Sequence, residues 1–183
     1  MRIGFVVFDG MTALDFVGVY DPLTRLATMG FREDVSWEIC GRRERVAAGA
    51  GVEIGVDTVS RPLDRYDLLV VPGGFATRTL RNDEGFLAWL DTADVDLLSS
   101  VCTGSLLLGA AGFLDGRRAT THPSAYDDLS EYCTVVRERV VDDGDVVTAG
   151  GVTSGLDLGL ALVERLDGAE TREAVAAQMD YPY

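Results

Sequence analysis

The stretch from Asp96 to Leu114, DLLSSVCTGSLLLGAAGFL, constrains this chain more than any other. Its eighteen residues from Leu97 to Leu114 carry no charge, long enough to suggest a membrane span. Ser99, Ser100, Thr103, Gly104 and Ser105 cluster in the middle of the run, however, and no second span follows. The segment therefore reads as a buried strand from Val95 to Val101, a sharp turn, and a buried helix from Gly104 to Leu114. Cys102 falls on the turn. Ser100-Val101-Cys102-Thr103-Gly104 is a loose form of a nucleophile elbow, with Ser where the first Gly would stand. A thiol there faces the amino end of the following helix, whose partial positive charge favours thiolate and lowers the thiol pKa. The competing reading is a small core residue, the usual fate of a free cysteine. Its place on the turn favours chemistry.

At 183 residues the chain is expected to form one domain, 1–183, with a full core and no need of staples. Cys40, Cys102 and Cys133 are odd in number and show no CxxC spacing, which argues against a disulfide framework and for a reducing, cytoplasmic setting. The opening Met1-Arg2-Ile3-Gly4-Phe5-Val6-Val7-Phe8 is too short for a signal-peptide core and reads as a first strand. A net charge of −14 opposes binding to nucleic acid or to an anionic membrane, since both need a basic footprint. All 16 basic residues are Arg, and Asp outnumbers Glu by 20 to 10. Short carboxylates without lysine suit a protein kept soluble in high salt, which hints at a halophilic source; a GC-rich genome is the alternative. With one histidine, His122, and dispersed cysteines, no metal site and no cofactor is expected. Gly49-Ala50-Gly51 sits between Val46-Ala47-Ala48 and Val52-Glu53-Ile54 and reads as a hairpin turn rather than half of a dinucleotide fingerprint.

Ile3 to Phe8 is a continuous apolar run of the kind buried in a parallel sheet. A helix should follow from near Thr12 to Met29, with Phe16, Val19, Tyr20, Leu23 and Ala27 on one face, ended by Gly30. Asp15 in its first turn has two readings: half of a Thr12-x-x-Asp15 capping box, or a carboxylate aimed from the end of strand one at Cys102. Spacing alone does not separate them. Strands are expected at Ser36 to Cys40 and Asp67 to Val71, the latter ending in Pro72-Gly73-Gly74-Phe75. Glycines there let backbone approach a ligand closely and leave amides to face negative charge; an ordinary turn is the alternative. A helix from about Asp83 to Ala93 leads to the elbow strand. Beyond it come a short strand Ala119 to His122, a short helix Ser124 to Ser130, and strands near Cys133 to Val136 and Val146 to Ala149. Helices Leu156 to Leu166 and Glu170 to Met179 close the chain, the first with Ser154-x-x-Asp157 as a capping box. His122, before Pro123, is either a surface residue or a base near the elbow. Strands alternating with helices predict an α/β three-layer sandwich with a mainly parallel, flavodoxin-like sheet, and ligands bind beyond the carboxyl ends of such strands. Asp15, Gly73, Gly74, Cys102 and Thr103 would then share one pocket.

The segments VVFDGMTALDFVGVYDPL, VPGG, VCTGSLLLGAAGFLDGRRATTH and TAGGVTSGLDLGLALVE together resemble the ThiJ/PfpI superfamily, relatives of class I glutamine amidotransferase domains, over nearly the whole length. Within it the chain is most similar to the isonitrile hydratase branch and to sensor domains of certain AraC-type regulators. The resemblance implies a catalytic Cys102 followed by Thr103 and paired with Asp15, with pocket or oxyanion contributions from Gly73, Gly74 and His122. The peptidase-like members instead have Cys-His and a Glu, which argues against proteolysis. His122-Pro123 departs from the His-Trp of close relatives. The implied reaction adds water to a small-molecule isonitrile through a thioimidate on Cys102, with Thr103 positioning the water and the Gly74 and Thr103 amides stabilising charge. The rivals are a glyoxalase-like enzyme for small aldehydes and a ligand- or oxidation-sensing module without turnover. The AraC-type relatives carry a DNA-binding pair of helices after this domain; with the chain ending at Tyr183 and strongly acidic, no nucleic-acid partner is expected. A homodimer is implied by the resemblance alone.

Overall fold

The computed structural model describes residues 1–182. Its strands are β1 (Arg2–Val6), β2 (Ser36–Gly41), β3 (Arg45–Ala47), β4 (Glu53–Gly55), β5 (Thr58–Val59), β6 (Leu68–Val71), β7 (Leu97–Val101), β8 (Arg118–Ala119), β9 (Thr134–Val135), β10 (Val140–Asp142) and β11 (Val146–Ala149). The helices are α1 (Ala13–Thr28), α2 (Thr77–Leu80), α3 (Glu84–Leu90), α4 (Gly104–Ala110), α5 (Tyr126–Leu129), α6 (Ser154–Asp167) and α7 (Ala169–Gln178). Seven strands form one sheet in the order β10-β11-β7-β6-β1-β2-β5, parallel throughout except for β10 against β11. β6 and β7 are buried at every residue because helices flank the sheet, which is why β6 runs apolar without alternation and β7 carries no charge. One helix group is α1, α6 and α7; the other includes α2, α4 and α5. This is the sandwich the alternation of elements predicts.

Several boundaries differ from expectation, each for a local reason. The elbow helix stops at Ala110 rather than Leu114, because the Phe113 amide bonds back to the Leu108 carbonyl and the Gly112 amide to Gly109, the paired bonds that close a helix. The strand expected at Ala119 to His122 never joins the main sheet. Arg118 and Ala119 pair only with Thr134 and Val135. Beyond them Thr120 donates its amide to Thr148 Oγ1 (2.9 Å) and Thr121 donates its hydroxyl to the Cys102 carbonyl (2.9 Å), which carries the chain past the elbow toward His122. The edge strands β5 and β10 and the one-turn helix α2 carry no periodic signal and were not expected. The hairpin at Gly49 to Gly51 is present, with Val46 opposite Ile54.

Candidate active site

Asp15 settles the first open question. The helix cap at Thr12 has no side-chain hydrogen bond, so there is no capping box. The Asp15 side chain is fully buried, and its Oδ2 accepts the Gly73 amide at 3.1 Å. Oδ1 has no hydrogen-bond partner of good geometry in the protein, and the polar group beside the carboxyl is the Cys102 thiol. Helix α1 starts where β1 ends, and β7 ends two strands away across the sheet, with β6 between them. The carboxyl ends of all three strands therefore meet at one point. A Cβ placed on Gly73 would lie 2.9 Å from both Asp15 Oδ2 and Cys102 Cβ and 2.5 Å from the Thr103 nitrogen, so only glycine lets the β6 loop pass between them. Likewise a Cβ on Gly104 would lie 2.3 Å from the Val71 carbonyl oxygen.

Cys102 itself takes a left-handed backbone, φ 55°, a conformation costing about 1 to 3 kcal/mol for a residue with a side chain. The surroundings hold it there. Its amide donates to the carbonyls of Ala149 (3.0 Å) and Gly150 (2.8 Å), and its carbonyl accepts the hydroxyls of Thr121 (2.9 Å) and Ser105 (3.2 Å). The thiol is nearly buried, at 5% exposure. Burial and then the neighbouring Asp15 charge push its pKa up to about 12, against the smaller opposing effect of the Thr103 amide. This corrects the expectation of a lowered thiol: desolvation and a like charge outweigh the start of a helix only seven residues long. Burial also raises Asp15 to about 7, opposed by hydrogen bonds from Cys102 and Gly73. The two groups titrate as a pair, and between these values the pair keeps one proton.

Thr103 and the glycine loop form a clamp. Thr103 Oγ1 accepts the Gly74 amide at 3.0 Å and donates to the Gly74 carbonyl at 3.1 Å. The Gly73 amide is committed to Asp15 and the Gly74 amide to Thr103, so neither is free to face a developing oxyanion, which corrects that expectation. The Thr103 amide, by contrast, faces the sulfur and favours its negative form. The positioning of water by the Thr103 hydroxyl is likewise limited, since its proton is given to Gly74.

A cleft of about 120 Å³ opens at this point, lined by Cys102, Thr103, Gly74, Phe75, Arg78 and His122 among others. Asp15 and Gly73 lie buried beneath its wall. The half-buried His122 is present, as the reading of it as a site residue requires, but its Nδ1 accepts the Ser124 amide at 3.2 Å and lies 2.8 Å from the Ser124 hydroxyl. Nδ1 is thus engaged by Ser124, which leaves Nε2 as the ring nitrogen free to meet a ligand. Phe75 and Arg78 were not foreseen as site residues. Phe75 adjoins the VPGG motif, whereas Arg78 sits on the unanticipated α2. A larger depression of about 530 Å³, lined by Phe8, Arg42, Arg43, Leu80 and Phe86 among others, contains none of these reactive groups. Asp157 takes no cap either: it accepts Arg139 (2.6 Å) and the Tyr181 hydroxyl (2.7 Å). Among the described residues no three His, Cys, Asp or Glu side chains converge as a metal site needs, and no helix is long and apolar enough to cross a membrane.

Comparison with known proteins adds a second line. Over 184 residues the chain is 36% identical to isonitrile hydratase from Pseudomonas putida, covering 99% of this chain and 78% of that protein. It is 32% identical to the HTH-type transcriptional regulator CdhR from Pseudomonas aeruginosa, covering 95% of this chain but only 53% of the regulator. Among solved structures, a ThiJ/PfpI family protein from Pseudomonas syringae superposes with a TM-score of 0.89 at 32% identity, covering 100% of this chain and 75% of that one. Residues 1–165 match the sequence profile of the DJ-1/PfpI family. With that match, and with a buried carboxyl set against an elbow cysteine, the chain belongs to the DJ-1/PfpI family.

Proposed function

We propose that this protein is a cysteine-dependent hydratase that converts a small isonitrile, R–NC, to an N-substituted formamide. The observation that carries the reading is the Asp15–Cys102 pair, one buried carboxyl set beside one buried thiol with a proton to pass between them. An isonitrile carbon needs both a nucleophile and a proton, and the pair supplies both. Asp15 removes the proton from Cys102 as the sulfur attacks the terminal carbon, then delivers it to that same carbon, leaving a thioimidate R–N=CH–S–Cys102. Burial keeps the carboxyl basic enough to take the proton and acidic enough to return it. Water then adds at the imidate carbon, the C–S bond breaks, the thiol regains a proton, and R–NH–CHO leaves. The Thr103 amide, already turned toward the sulfur, favours the negative charge sulfur carries on the way in and out.

The likeness to isonitrile hydratase supports this reading, and the likeness to a transcriptional regulator supports a sensing module instead. Burial argues against oxidation sensing in particular. Sensor thiols are exposed and low in pKa, whereas Cys102 is neither. We further propose a homodimer working in a reducing, cytoplasmic compartment, in keeping with three free thiols. Light scattering at twice 19.7 kDa is expected, and a single species at 19.7 kDa ends the dimer proposal.

The deciding assay measures formamide from a panel of alkyl and aryl isonitriles with wild type, Cys102→Ala and Asp15→Ala. Turnover by wild type that is lost in both variants is the expected result. No turnover of any isonitrile by folded protein with a reactive Cys102 rejects the hydratase reading in favour of aldehyde chemistry or sensing.

A further inference from the structure

Arg78 is the arginine that lines the cleft at Cys102. Acids outnumber bases 30 to 16, and among the described residues twelve arginines lie in ion pairs with carboxylates. Arg61, Arg78, Arg118 and Arg137 are not among them, and of these four only Arg78 lines the cleft at Cys102. Its guanidinium lies 5.5 Å from the centre of the Phe75 ring, and no carboxylate of the described residues approaches it within ion-pair distance. Both side chains line the cleft that contains the Cys102 sulfur. Phe75 is 86% exposed, an apolar ring left in water at the mouth of a reactive site. A guanidinium stacked on an aromatic face is pre-oriented and keeps its in-plane N–H donors free for a carboxylate.

We infer that the substrate carries a carboxylate or similar anionic group on R, which Arg78 binds while the apolar part of R lies against Phe75. The inference rests on the hydratase reading for the identity of the reacting head group, but the charge preference belongs to the cleft. The cleft holds about 120 Å³, against roughly 300–1,000 Å³ for pockets that take drug-sized ligands. It therefore encloses the isonitrile head and only a short part of R. Arg78 is a specificity-determining residue here; the bond-making steps remain with Cys102 and Asp15.

The test compares isocyanoacetate with methyl isocyanoacetate, which differ in the charge and in one methyl group, on wild type, Arg78→Ala and Arg78→Lys. Wild type is expected to favour the carboxylate in kcat/KM, chiefly through KM. In Arg78→Ala that preference should fall on the order of tenfold or more, the size of a charge-assisted hydrogen bond, and Arg78→Lys should keep most of it. An equal preference in wild type and Arg78→Ala overturns the inference. If wild type turns over other isonitriles but not isocyanoacetate, the inference is overturned; if it turns over no isonitrile at all, the hydratase reading has failed and the charge preference is read from Cys102 alkylation, followed by mass spectrometry. There the rate ratio of iodoacetate to iodoacetamide should drop in Arg78→Ala by a similar factor; an unchanged ratio overturns the inference independently of the reaction.

Discussion

Protonation of two side chains controls what this site can do at a given pH. Below about 7 the Asp15–Cys102 pair holds two protons, and neither a base nor a thiolate is available. Above about 7 one proton leaves, and the carboxylate can draw on the thiol; the second proton leaves only near 12. Alkylation of Cys102 and kcat/KM for any substrate it attacks should therefore rise as pH climbs through about 7. In Asp15→Asn that step should vanish and reactivity should fall, because no group then takes the thiol proton. Asp15 also links pH to stability. Its folded pKa lies above the unbound value of 3.8, so the folded state holds the proton more tightly. The contribution is full below about pH 4 and is lost as pH rises through about 7. Asp15→Asn has no such loss and still offers an oxygen to the Gly73 amide. At pH 8 it should be more stable than wild type by up to about 4 kcal/mol, measured by urea unfolding at pH 5 and pH 8. Equal pH dependence in the two proteins would refute the raised carboxyl.

The elbow is an arrangement of elements rather than of one residue. β6, β7 and the start of α4 approach so closely that backbone touches backbone, and Gly104 lies against Val71 and Pro72 with no room for a methyl group. The neighbouring atoms are main-chain carbonyls inside a parallel ladder, which do not yield as a flexible side chain would. Gly104→Ala should cost about 3 kcal/mol or more, seen as a lower urea midpoint with little change in slope. Loss of Cys102 reactivity should accompany it, because the same displacement moves the turn. A variant of wild-type stability would mean that the two strands are not packed this tightly. The Thr103 clamp acts at the same level, tying the end of β7 to the loop after β6 through two bonds to Gly74.

The charge of the protein acts on stability and solubility but not on the fold. At −14 the surface repels itself, and the twelve arginine–carboxylate ion pairs among the described residues relieve only part of this, since the acids exceed the bases by 30 to 16. Raising salt from about 0.1 M to about 1 M shortens the screening length from roughly 10 Å to roughly 3 Å. The thermal midpoint should climb over that range if the composition is an adaptation to salt. A flat or falling midpoint would leave genome composition as its source.

The amino-acid sequence was sufficient for the major strands and helices, though not for β5, β10 or α2, for the placing of Cys102 on a turn, and for the hairpin at Gly49 to Gly51, because each depends on local periodicity or on residues adjacent in the chain. It also named Asp15, Gly73, Gly74 and Thr103 as neighbours of the thiol, through the rule that ligands gather where parallel strands end. Asp15 could have been a helix cap or a buried carboxyl, and only the crossing of the β6 loop between α1 and α4 decides, since burial is a property of what lies opposite. The thiol pKa depends on the same packing: a helix start is visible in sequence, whereas desolvation and a carboxylate 87 positions away are not. Amide commitments at Gly73 and Gly74 are settled by contacts between distant segments. Local patterns set the elements; long-range packing set their protons.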